Sequence, residues 1–251
     1  MTKVRLDQLL VDKGLAPSRE RARALILAAH VEVDGQRVTK AGTRVADDAA
    51  VALVAPDHPY VSRGGLKLAH ALDTFGIDVA DCQALDIGAS TGGFTDALLQ
   101  RGAARVVALD VGHGQIDWRL RADPRVTVLE GVNARYLTPA DVSGPFELVC
   151  IDVSFISLRQ ILPVVPPLLG PGGDVIALVK PQFEAGRAEV RSGVIRDEAI
   201  RARVVDEIRA AAAAVGLTPA AVTPSPITGQ KGNVEFLLHL LGPAADGRTA
   251  G

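Results

Sequence analysis

Asp86-Ile87-Gly88-Ala89-Ser90-Thr91-Gly92-Gly93-Phe94 decides how this chain is read. The stretch grows out of the apolar run that ends at Ile87. Gly88, Gly92 and Gly93 allow backbone to approach a bound molecule closely. A helix that starts near Gly93 turns its free N–H groups toward that molecule. Strand, glycine turn and helix in this order open a doubly wound α/β fold, whose ligands sit beyond the carboxyl ends of the strands.

Beyond Gly93 the chain keeps alternating apolar runs with helical segments. Strands are predicted at 84–87, 105–110, 126–129, 148–153, 175–179, 220–223 and 234–241. Long connections between several of them call for crossover helices and a parallel sheet, while a short turn before 234 makes the seventh strand antiparallel. Asp110 ends the second strand, where a carboxylate can accept from both hydroxyls of an adenosine ribose. The glycine spacing is Gly-x-x-x-Gly-Gly rather than Gly-x-Gly-x-x-Gly, which favours S-adenosylmethionine over a nicotinamide pyrophosphate. The cofactor set is then Asp86, Gly88, Ala89, Ser90, Thr91, Gly92, Gly93, Phe94 and Asp110. Asp86 faces the methionine amino group, and Asn133 lies either near the adenine or in an ordinary turn. His113 and Trp118 are further candidate walls of the pocket.

The 251 residues suffice for a sizeable core and a second unit. Aromatics are only 4%, so that core rests on Ala, Val, Leu and Ile. The net charge of -2 argues against a general polyanion binder, but its distribution is uneven. Residues 1–45 carry 9 Lys+Arg against 5 Asp+Glu, a basic segment on an acidic body. Cys82 and Cys150 are too few for a zinc site and read as buried, reduced thiols. There is neither a signal-peptide pattern nor an apolar run of about 20 residues, so a cytoplasmic protein without stable membrane association is expected. No metal is expected.

Within that basic segment, Val4 to Val11 has helical spacing, Gly14 can end the helix, and Ser18 caps a second one. Val31-Glu32-Val33 alternates like a strand before the hairpin signal Asp34-Gly35. Arg37-Val38 and Arg44-Val45 extend the small sheet. The words Arg5-Leu6-Asp7-Gln8-Leu9-Leu10, Ser18-Arg19-Glu20-Arg21-Ala22-Arg23 and Val31-Glu32-Val33-Asp34-Gly35 resemble the S4-type RNA-binding fold. That resemblance implies RNA contacts by Arg5, Arg19, Arg21 and Arg23. Pro56-Asp57-His58-Pro59-Tyr60 reads as a linker. The expected organisation is an RNA-binding unit at 1–55, a linker at 56–61, a catalytic unit at 62–242 and a frayed tail at 243–251.

Asp152 and Lys180 close neighbouring predicted strands, so both should emerge beside the glycine turn. Val61-Ser62-Arg63-Gly64-Gly65-Leu66-Lys67, Asp152-Val153-Ser154-Phe155-Ile156-Ser157, Lys180-Pro181-Gln182-Phe183-Glu184 and Gly232-Asn233-Val234-Glu235, with the glycine turn, together resemble the TlyA family. The resemblance covers almost the whole chain. It implies a class I, Rossmann-like, seven-stranded methyltransferase domain of FtsJ type, and a ribosomal RNA cytidine 2′-O-methyltransferase acting on 16S and/or 23S rRNA in ribosomal subunits. It also places a Lys-Asp-Lys-Glu catalytic tetrad on Lys67, Asp152, Lys180 and Glu235. In the expected mechanism Lys180 positions and deprotonates the ribose hydroxyl, with Lys67 and partial burial as the means of neutralising it. Arg63 contacts RNA or only helps cap the helix that carries Lys67. Residues 184–196, with Arg187, Arg191 and Arg196, form either a substrate loop or an ordinary surface loop. Two rival readings remain: an inactive ribosome-associated RNA-binding protein, and a membrane-active protein, since relatives are often called haemolysins. A monomer is expected because RNA would cover the basic face.

Overall fold

A computed structural model describes residues 3–54, 58–186, 188–190 and 192–244. Arg187 and Arg191, part of the linker and most of the expected frayed tail lie outside the described residues.

The N-terminal unit begins with β1 (Lys3–Arg5), α1 (Leu6–Asp12) and α2 (Arg19–Leu27). Val4, expected in the helix, is in β1, which pairs antiparallel with β4 (Arg44–Ala46). Arg44-Val45 therefore belongs to a separate two-stranded sheet and does not extend the hairpin. The hairpin itself joins β2 (Val31–Val33) to β3 (Gln36–Arg37) through Asp34 and Gly35, both at positive φ, as an Asp-Gly turn requires. On the other side of β2 lies β5 (Val51–Leu53). Ser18 caps α2 through its Oγ, which accepts from the Arg21 N–H at 3.2 Å. Leu6, Leu10, Ala22, Ile26 and Val31 pack between the helices and the sheet.

The body begins with α3 (Gly64–Phe75), then β6 (Gln83–Ile87), α4 (Gly93–Gln100), β7 (Arg105–Asp110), α5 (Trp118–Ala122), β8 (Val126–Glu130) and β9 (Phe146–Ile151). It continues with β10 (Leu169–Val179), α6 (Pro181–Glu184), α7 (Glu198–Ala214), β11 (Thr218–Pro224) and β12 (Phe236–Leu241). The sheet order is β11-β12-β10-β9-β6-β7-β8, and β12 runs antiparallel between β10 and β11. All seven predicted strands exist. Crossover helices are found between several of the strands, but the connections after β8 and β9 carry no α-helix. A short 3-10 turn, Ala134–Tyr136, follows β8, and three more (Leu158–Gln160, Leu162–Val164, Pro166–Leu168) link β9 to β10. Pro163, Pro166 and Pro167 explain the second case, because each removes an N–H that an α-helix needs.

The sheet is buried on both sides. One apolar layer includes Leu85, Val107, Val149 and Ala177 under α7. The other includes Ala84, Val106, Cys150 and Ile176 under α3 and α4. Alternate residues of one strand thus serve opposite layers. Cys150 is buried as expected and burial pushes its thiol up, whereas Cys82 is only half-buried. Both are free thiols.

Candidate active site

β6 and β9 end side by side, which brings Asp86 and Asp152 to one edge of the sheet. Asp86 is fully buried. Its Oδ2 accepts from the Thr95 N–H at 3.0 Å and the Thr95 hydroxyl at 2.7 Å, both on α4. Its Oδ1 is buried without a hydrogen-bond partner. Burial pushes this carboxyl up to about 7, only partly opposed by the Thr95 bonds. A buried acceptor left open beside a cavity suits a cationic amine.

The glycine turn is fixed by close approach. A Cβ on Gly88 (φ +88) would overlap the Asp152 carbonyl oxygen, and one on Gly93 would overlap the Ser62 Oγ. Gly92 (φ +94) caps α4 and faces Leu120 and Val61, away from the cavity that the rest of the turn lines. That cavity, of about 210 Å³, is lined by Lys67, Asp86, Gly88, Ala89, Ser90, Thr91, Gly93, Phe94, Asp152, Lys180 and Glu235. All four expected catalytic side chains therefore meet in one space, although 168 residues separate the first from the last.

Two ion pairs organise them. Lys67 on α3 donates to Glu235 at 2.5 Å, and the Glu235 side chain is only 3% exposed. Lys180, at the end of β10, lies 2.5 Å from Asp152 Oδ1 and donates to the Ser154 Oγ at 2.8 Å. Burial pulls the Asp152 carboxyl up, but the Lys180 and Lys67 ammoniums outweigh it and leave the group below its ordinary value. Ser154 was not singled out from the sequence, although it stands two residues after Asp152 in the quoted Asp152–Ser157 stretch. Nor was Gly229, where a Cβ would run into the Glu235 carboxylate.

A second cavity of about 450 Å³ shares Gly88, Ser90, Asp152 and Ser154 with the first. Asp110 and Asn133 line it, as do Val111, Gln115, Val132 and Val153. Apolar walls with the Asp110 carboxylate among them suit an adenosine. Asp110 already accepts from the Ser90 N–H at 2.8 Å and the Gly112 N–H at 2.7 Å, one per oxygen. Each oxygen keeps a second lone pair for a ribose hydroxyl. His113 and Trp118, the other candidate walls, line neither cavity. The His113 ring rests near Gly131, and Trp118 is 64% exposed.

The arginines of the first unit divide. Arg5 pairs with buried Asp7 through two nitrogens, at 2.9 and 2.8 Å, and Arg19 joins it at 3.3 Å. These bonds hold the Asp7 carboxyl below its ordinary value and fix both guanidiniums at the surface. Arg23 is exposed. Arg21 turns inward to Asp117, at 3.3 Å, and so ties α2 to the body. Arg63 is exposed at the rim of the first cavity.

Sheet order, glycine turn and open Asp86 oxygen define an S-adenosylmethionine-dependent methyltransferase of the Rossmann-like class, preceded by an S4 unit. The matches agree. Residues 60–241 match the FtsJ-like methyltransferase family and residues 4–51 the S4 domain. The 16S/23S rRNA (cytidine-2′-O)-methyltransferase TlyA of Mycobacterium tuberculosis is 48% identical over 240 residues, 95% of this chain and 90% of the relative. Hemolysin A of Brachyspira hyodysenteriae is 40% identical over 95% of this chain and 100% of its own length. A solved structure from Streptococcus thermophilus, described as a candidate hemolysin, superposes with a TM-score of 0.75 at 44% identity, covering 99% of this chain and 93% of that one. The chain belongs to the FtsJ-like methyltransferases and, among them, to the TlyA family. Among the described residues, no helix is long and apolar enough to cross a membrane.

Proposed function

We propose that the protein methylates the 2′-hydroxyl of a cytidine in 16S and/or 23S rRNA within ribosomal subunits, as a cytoplasmic monomer. The observation that carries this reading is the meeting of Lys67, Asp152, Lys180 and Glu235 in the cavity that the glycine turn borders. The chain divides accordingly into an RNA-binding unit at 1–55, a linker at 56–61 and a catalytic unit at 62–242. Arg5, Arg19, Arg23 and Arg63 meet RNA phosphates, while Arg21 serves the junction.

S-adenosylmethionine, when bound, supplies an electrophilic methyl group on a sulfonium. Asp86 Oδ1 would hold its amine, Asp110 its ribose hydroxyls, and the second cavity its adenine. Lys180 would position the 2′-hydroxyl and accept its proton, which leaves an ammonium for Asp152 to pair with at 2.5 Å. Asp152 and Ser154 fix the direction of the Lys180 Nζ. Glu235 holds Lys67, whose charge then lies beside the ribose. Holding the hydroxyl in line supplies much of the rate.

The test is transfer of tritium from labelled S-adenosylmethionine to purified ribosomal subunits that lack the modification. Label in 2′-O-methylcytidine is expected. Cofactor binding with no label on any subunit would move the assignment to an inactive RNA-binding protein.

A further inference from the structure

The Ser154–Ser157 arc between β9 and the 3-10 turn at Leu158 carries a strain. Phe155 has φ +65, a left-handed conformation that a bulky residue rarely adopts, and it is 83% exposed. Such a residue persists only where its surroundings fix it from more than one side. One anchor belongs to the site already described: the Lys180 Nζ donates to the Ser154 Oγ at 2.8 Å.

The second anchor lies at the far end of the arc. Glu184, the last residue of α6, has a side chain only 2% exposed. Its Oε2 accepts from the Ser157 hydroxyl at 2.5 Å and its Oε1 from the Leu158 N–H at 2.7 Å. Arg159 donates to the Glu184 carbonyl at 3.3 Å and reaches Glu207 on α7 at 2.7 Å. Two segments that leave the sheet next to each other, one from Asp152 and one from Lys180, are thus joined again at Ser157–Glu184. Between the joints the Phe155 and Phe183 rings meet at 4.9 Å.

We infer that Glu184 is a positioning residue for methyl transfer: its buried carboxylate closes this ring of contacts and holds Ser154, and through it the Lys180 Nζ, in the reactive geometry. The inference rests on the function proposed above. Glu184 touches neither of the two cavities. Ser154, Phe155 and Ile156 of the arc do line the second cavity, so the loss of Glu184 should lower turnover far more than it weakens cofactor binding.

The experiment compares Glu184→Ala and Glu184→Gln with the parent in three measurements: turnover on ribosomal subunits, calorimetric affinity for S-adenosylmethionine, and amide hydrogen exchange over 154–158. Displacing a reacting group by roughly 1 Å costs about 100-fold in rate. Glu184→Ala should therefore lower kcat about 30- to 100-fold, with the cofactor Kd weakened by no more than about 5-fold and exchange at Leu158 faster. Glu184→Gln should recover most of the loss, because its carbonyl still accepts from the Leu158 N–H. If Glu184→Ala does not fold, Ser157→Ala removes the hydroxyl's bond to Glu184 together with its cap on the Arg159 N–H, and should lower kcat about 3- to 10-fold. A kcat within about 2-fold of the parent in Glu184→Ala, or in Ser157→Ala where that variant stands in for it, or a cofactor Kd that worsens in step with kcat, would overturn the inference. If the parent itself labels no rRNA, the functional reading falls; unchanged exchange over 154–158 would independently refute the clamp.

Discussion

Replacing Asp86 by Asn should make the protein more stable and a poorer cofactor binder at once. The Asp86 carboxyl is pushed from 3.8 to about 7 by burial, so above pH 7 the folded chain carries a charge that it disfavours. At about 1.4 kcal/mol per pKa unit, that disfavour is on the order of 4 kcal/mol. The sign follows from a folded value above the unfolded one. Stability is lost as pH rises from about 4 to about 7 and stays lost above that. An Asn oxygen can still accept both Thr95 bonds, and its NH₂ then occupies the open Oδ1 position. At pH 8 the variant should therefore melt higher, by roughly 2–4 °C per kcal/mol regained. At pH 5 the difference should shrink. In the parent the cofactor amine offsets the buried charge, so its affinity should rise from pH 6 to pH 8. The variant forfeits a charge-assisted bond worth about 1.5–3 kcal/mol, roughly 10- to 150-fold in Kd. Thermal melts at pH 5 and 8, with calorimetry at pH 8, check both sides. A variant no more stable than the parent at pH 8, or one that binds S-adenosylmethionine as tightly, would refute this account of Asp86.

Three more perturbations have definite outcomes. Lys180→Ala should lower methyl transfer by at least about 1000-fold while calorimetry still detects cofactor binding, since it removes the proton acceptor and its anchor to Asp152; substantial residual turnover would end the Lys180 assignment. Gly229→Ala should lower kcat at least about 10-fold, because the nearest atoms that the new methyl meets are those of the Glu235 side chain, which must shift from Lys67; an unchanged kcat would refute this. Arg19→Ala should weaken subunit binding and make it less salt-dependent by roughly one phosphate contact, while Asp7 keeps its paired bonds to Arg5; an unchanged salt slope would place Arg19 outside the RNA contact.

The parts of the site that could be read in advance are those set by strand periodicity. Asp86, Asp110 and Asp152 close or follow apolar runs, and Lys180 ends another, so their common edge follows from the sheet alone. Contacts across long chain separations were not legible in the residues themselves; Lys67 and Glu235 came together only through the family resemblance. No local pattern announces that Gly229 must be bare for Glu235, or that the Ser154 hydroxyl accepts from Lys180. Arg21 shows the limit clearly. Its place in a basic helix points outward, and only the position of Asp117 turns it toward the body. The connection from β9 to β10 carried its own warning in Pro163, Pro166 and Pro167, which a length argument for a helix overlooks.

The placement of β12 has a consequence for how the protein comes into being. The strand is threaded between β10 and β11, with ladders to both, and Glu235 stands immediately before it. On the ribosome, the glycine turn and the Asp152–Lys180 pair can be synthesised and folded well before Glu235 emerges. Lys67, made early, has to wait for its partner. With the roles proposed above, methylating ability would come late in synthesis, when the Lys67–Glu235 pairing closes across 168 residues. A chain stopped before β12 keeps most of the cofactor-facing residues, yet leaves a gap in the sheet and a lysine without its carboxylate.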